Sequence, residues 1–199
     1  MSQMNTLARS LHDVGLAAWF GGSLMGAIGL NGASQDVSDP TDRVRVANSG
    51  WGRWTPVNAA AIVAHLLGGG QLLRANKGRL AGQQGVRSTT TAKTALTAAA
   101  LGATAYSRIL GQKVMEAEAK ELQSSLGPDG LPAADATTPS ASTPDEAAQA
   151  QKQLKLLQWV IPALTGAILV LNARMGEQQR PSEISKGLLG RITPDALQK

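Results

Sequence analysis

The sequence predicts an all-α fold: an integral membrane four-helix bundle whose third and fourth helices continue outside the membrane. Three observations predict it. Long stretches carry no charge. The loops between them alternate in charge from one side to the other. Small residues are spaced so that helices can approach closely.

The first stretch, Val14–Ala33, has no charge and holds six Gly. The second, "WTPVNAAAIVAHLLGGGQLL" from Trp54 to Leu73, is also uncharged. The third, "TALTAAALGATAYS" from Thr94 to Ser107, lies between Lys93 and Arg108. The fourth, "LLQWVIPALTGAILVLNA", runs from Leu156 to Ala173. A spanning helix needs about 20 mostly apolar residues. Stretches one, two and four meet that. The third spans if Lys93 and Arg108 carry their charges to the interfaces along their alkyl stems. The expected spans are therefore about 12–33, 54–74, 91–113 and 156–175, with residues 1–115 holding the first three.

The loops sort by charge. Segment 74–93 holds Arg74, Lys77, Arg79, Arg87 and Lys93 and no acid. Segment 113–155 sets four Lys against seven acids, and 34–53 balances three Asp with three Arg. The tail beyond Ala173 has five basic residues and three acids. With four spans, the basic loop and both termini share one side. The positive-inside rule makes that side the cytoplasm. The place expected is the cytoplasmic (inner) membrane of a bacterium, an impression taken from the Ala-rich, Lys-poor style of the sequence. The first span reads as retained rather than as a cleaved signal, because its core is long and further spans follow. The alternative is a soluble helical bundle.

Ala18, Gly22 and Gly26 stand four apart, one face of one helix. Ala64 and Gly68 offer a matching groove in the second. In lipid such grooves admit a neighbouring backbone. In water each Gly costs roughly 1 kcal/mol of helix propensity. These five residues are the expected helix-packing positions, within one chain or between chains. Trp19 lies inside the first span; Trp51, Trp54 and Trp159 fall at expected boundaries, where amphipathic rings favour the interface.

Segment 116–155 reads as an extracytoplasmic polar hairpin. "EAEAKEL" continues helix three. "GPDGLPAADATTPSAS" has the composition of disorder, which sets a structureless tip at about 126–143. A helix restarts after Thr143, with Pro144 at its first position and Glu146 completing a capping box. The cytoplasmic tail 176–199 places Ile184, Leu188, Leu189 and Ile192 near one face. It reads either as a helix on anionic lipid or as a disordered tail.

Composition excludes several functions. No Cys is present, so there is no disulfide and no thiolate metal site. Only one Phe and one Tyr occur, and the apolar mass is mainly Ala, Leu, Gly and Val. The net charge of +5 is topogenic, not nucleic-acid binding, because the basic loop has no interleaved aromatics. "LLGGGQLL" lacks the Lys-Ser/Thr of a phosphate loop. The sequence shows no Ser–His–Asp spacing, no HExxH and no pair of acids within a span.

His12 and His65 are the only histidines. Two such residues can hold a haem between helices. Their expected depths differ by about nine residues, roughly 13 Å at a helical rise of 1.5 Å, too far for one haem. His65 reads as hydrogen-bonded to neighbouring backbone or to Asn58, and His12–Asp13 as a helix start. Arg108 reads as snorkelling. Asn31, Asn58 and Asn172 read as hydrogen-bonded cross-links between helices.

"HDVGLAAWFGG" has the spacing His-x6-Trp-x-Gly-Gly. It resembles the opening helix of copper-resistance D-type membrane proteins and related small bacterial membrane families. The resemblance implies His12, Trp19, Gly21 and Gly22 as family-like positions and copper handling as a role. It covers about a dozen residues, and no Met- or His-rich path follows.

The expected function is that of a small non-enzymatic membrane protein. It would be a structural or accessory subunit in the bilayer, packing against itself or against other membrane subunits. No cofactor and no metal is expected. The alternative is a subunit carrying haem b or a metal on His65 or His12 across a dimer interface.

Overall fold

The computed structural model describes residues 3–78, 84–123, 133–141 and 143–177. The part of the tail beyond 177 and the tip residues 124–132 lie outside the described residues. Helix α1 is Gln3–Met25. It continues through a π-helical turn at Gly26–Leu30 into α2, Asn31–Gln35. Helix α3 is Pro40–Ala75, α4 is Gln84–Gln123, and α5 is Asp145–Glu177. Among the described residues, three helical stretches are long and apolar enough to cross a membrane: Asn5–Gln35, Asp42–Ala75 and Asp145–Gly176. Large apolar side chains point outward along them, among them Val14, Ile28, Val63, Leu67 and Val170. An exposed apolar surface of this kind marks a site of contact with a membrane or with another protein.

The helices form two antiparallel pairs, α1 with α3 and α4 with α5. The pairs meet through α1 and α5, while α3 and α4 scarcely touch. The central layer is Leu16, Trp19, Ala100, Ile161 and Ile168, each nearly or wholly buried. A second apolar layer, Val44, Leu110, Val114 and Ala150, closes the far end. Helix α4 runs beside both layers. Lys93 sits against His12 near one end, and Glu118 accepts a hydrogen bond from Asn48 near the other.

The glycine spacing explains the α1–α3 contact. A Cβ on Gly15 would lie 2.4 Å from the Ala61 carbonyl oxygen, and one on Gly68 would lie 2.4 Å from that of Ala8. Gly22 and Gly26 receive the Trp54 and Trp51 rings. Ala18 and Ala64 are half-buried. The grooves are thus filled by this chain's own residues. Trp51 and Trp54 are packing rings, and Trp159, half exposed, is not.

Two expectations about boundaries change. Helix α1 begins at Gln3, not near His12, because its polar first turns are also held against α3. The supposed tip at 126–143 contains a small antiparallel pair, β1 (Ala133–Asp135) and β2 (Thr138–Pro139). Strand β1 lies against α2 and α3, and β2 against α5. Lys155 donates to the Thr138 hydroxyl at 3.0 Å. Composition alone misses this, because the pairing borrows its support from the helices.

Gly68→Ala must push α1 from α3 and should cost about 1–3 kcal/mol in detergent unfolding. Gly21→Ala, with nothing within 4 Å, should be neutral or stabilising. Burial raises the Glu118 carboxyl above its ordinary value of 4.5. The folded state therefore holds this proton more tightly, and the stability it lends fades as pH rises past that value. Glu118→Gln keeps the acceptor for Asn48 and removes the charge. Its stability gain over the parent should grow from about pH 4.5 upward, and a pH-independent difference would count against burial as the cause.

Candidate functional site

His12 and His65 share a level because α1 and α3 are antiparallel and both extend past their uncharged stretches. This corrects the depth difference expected from the sequence. Gly15 lies one turn after His12, and Gly68 one turn after His65. A Cβ on either would strike the other histidine's backbone nitrogen, at 2.7 Å and 2.6 Å. With the backbones this close, each ring reaches across. His12 Nδ1 donates to the His65 carbonyl at 2.8 Å, and His65 Nδ1 to the His12 carbonyl at 3.0 Å. A carbonyl oxygen only accepts, so both Nδ1 atoms carry the proton and Nε2 is the lone-pair nitrogen of each neutral ring. The rings stack with centroids 4.0 Å apart and planes 18° apart. His12 and His65 are 3% and 1% exposed.

Helix α4 supplies the third member. Lys93 Nζ donates to His12 Nε2 at 2.6 Å. Lys93 therefore turns into the bundle and does not snorkel. Trp19 stands edge-on to His65, centroids 6.3 Å apart, and its Nε1 donates to Thr104 at 3.2 Å. Helix α5 closes the ring: Asn172 Nδ2 donates to Asp13 Oδ1 at 3.2 Å. Asp13, well inside α1, is a carboxylate within a candidate span and not a helix start. A cavity of about 380 Å³ opens here, lined by Arg9, His12, Asp13, His65 and Lys93, with leucines, threonines and asparagines making up much of the remainder. That is the scale of a small-molecule site.

Of the expected partners of His65, the backbone is the one used. Asn58 Oδ1 is buried and has no partner among the described residues. Asn31 does cross-link helices: it accepts from Trp51 Nε1 and donates to Gln158. Arg108 is exposed beside a second cavity of about 360 Å³ toward the other end of the bundle. The two cavities share Leu101. Of the copper-resistance-like positions, His12, Trp19 and Gly22 pack inward and Gly21 meets open space.

The ring arrangement does not fit a haem held between two imidazoles. Stacked rings 4.0 Å apart leave no slot for a macrocycle between them. Sequence reading overlooked Lys93, Asp13 and the internal repetition that sets the site. Ala8–His12–Gly15 and Ala61–His65–Gly68 both read A-x3-H-x2-G. That pattern, once in each helix of an antiparallel pair, was the available signal.

Comparison with protein-family models, with curated proteins and with solved structures finds no match to this chain.

His12→Ala removes the acceptor of Lys93 and the donor to the His65 carbonyl. It should cost about 2–4 kcal/mol in detergent unfolding. Adding Lys93→Met should recover part of that loss. Losses that simply add would show that the two side chains are not coupled.

Proposed function

We propose that this chain is a four-span protein of the bacterial cytoplasmic membrane, with both termini in the cytoplasm. It acts without catalysis, as an accessory protein that holds a ligand in the His12–His65–Lys93 cavity. One observation carries the reading: a lysine ammonium donates to a histidine inside a bundle whose other three helices are apolar enough to span. Ionisable groups at such depth are costly and mark functional sites.

The course of α4 supports the fourth span. It lies beside His12 at one end of the bundle and beside Asn48 at the other. If its three neighbours cross the bilayer, α4 crosses with them. The unbroken basic charge of 74–93 supports a cytoplasmic placing of that end. Binding is favoured over turnover because the imidazoles are committed to the frame. Both Nδ1 protons go to backbone carbonyls, and His12 Nε2 is taken by Lys93.

The absence of Cys makes the topology simple to test. Gly78→Cys and Ala141→Cys place single thiols at opposite ends. In intact cells a membrane-impermeant maleimide should label Ala141→Cys and spare Gly78→Cys until the cells are opened. The protein should also stay with membranes after alkaline carbonate washing. Labelling of both thiols from the same side would remove the fourth span, and release into the supernatant would restore the soluble bundle.

A further inference from the structure

We propose that the ligand is an anionic membrane lipid. Its phosphate or carboxylate head would sit on Lys93, and its apolar tail would lie in the seam between α3 and α4. The inference rests on the ligand-site reading above and names what that site takes.

The head is argued from charge and donors. A lysine ammonium has three N–H donors, and Lys93 directs one to His12 Nε2. The others remain for head-group oxygens. The cavity wall sets Lys93 and Arg9 against the single carboxylate of Asp13. One oxygen of that carboxylate is already bonded by Asn172. Among the lining residues, two cations face one carboxylate. This is also the end of the bundle that carries Arg74 and Lys77, where basic side chains draw anionic head groups.

The tail is argued from what is left unfilled. The rest of the wall mixes Leu66, Leu73, Ala98 and Leu101 with threonine and asparagine side chains, and most of its surface is apolar. Helices α3 and α4 make few contacts beyond Asn48–Glu118 and the Val44 layer, and among the described residues the two cavities lie along the seam between them. From Lys93 to Leu101 the seam follows two turns of α4, about 12 Å at 1.5 Å per residue. At Leu101 the second cavity begins and carries the same seam onward. A free anion needs only the first part of this space. An amphiphile with one charged end matches both parts.

The test uses the full-length protein, purified and stripped of lipid in mild detergent. Thermal unfolding is followed on adding dioleoyl phosphatidylglycerol, dioleoyl phosphatidylcholine, inorganic phosphate or acetate. Native mass spectrometry counts the lipid retained. One phosphatidylglycerol per chain is expected, held about fivefold more tightly than phosphatidylcholine. Lys93→Gln, which keeps a donor for His12, should abolish that preference. Ala98→Phe, which narrows the seam and leaves Lys93, should weaken lipid retention.

Equal retention of both lipids, unchanged in Lys93→Gln, overturns the inference. Phosphate or acetate stabilising the protein as much as the anionic lipid, and only with Lys93 present, overturns the lipid tail and keeps the ligand site. If no additive shifts the parent protein and Lys93→Gln behaves like it throughout, the ligand site itself is wrong.

Discussion

The rest of the structure hangs on the contact between two glycines and two histidine backbones. Gly15 and Gly68 remove the Cβ atoms that would hold α1 and α3 apart. Only at that separation can each imidazole reach the other helix's carbonyl. The reciprocal bonds then fix the register of the pair, because a slide of one residue along either helix breaks both. They also fix the tautomers, and so decide that Nε2 faces the third helix. Where water is excluded, such bonds have little competition, and a polar group left alone is expensive.

The second pair, α4 and α5, is attached by different means. Apolar packing of Leu16, Trp19, Ala100, Ile161 and Ile168 supplies the bulk of the contact. A few polar links set its register: Trp19 to Thr104, Asn172 to Asp13, Asn31 to Gln158. Each has one end on α1 or its continuation through α2. Helix α1 therefore carries most of these links, while α3 and α4 meet directly at one end, through Asn48–Glu118 and the Val44 layer, and leave the space between them open elsewhere. The site and the seam are two results of one arrangement. Polar groups collect where α1 meets three helices, and the unfilled volume collects where α3 and α4 fail to meet.

The copper-resistance-like reading and the bis-histidine haem reading began from the same residues. In the structure His12, His65, Trp19 and Gly22 pack between helices. Trp19 is buried as a wedge between His65 and Thr104. Gly22 seats Trp54. A ring spacing of 4.0 Å makes the histidines a stacked brace. Lys93, a residue that looks like a loop boundary in the sequence, stands with Arg9 and Asp13 in the wall of the cavity beside them.

The sequence by itself determined the helical class, the three strongly apolar stretches and three of the close-packing glycines, though not Gly15. These depend on composition and on spacing within one helix, which neighbouring elements do not alter. Gly22, Gly26 and Gly68 were legible for that reason. The partners of those positions were not, nor was the level of His12 against His65. Both depend on where each helix starts and ends, and the helices run past their apolar stretches by amounts set by packing. The inward turn of Lys93 was hidden for the same reason. A lysine at the edge of an apolar run snorkels unless another helix brings it an acceptor. Only the tertiary structure decided that His12 does so.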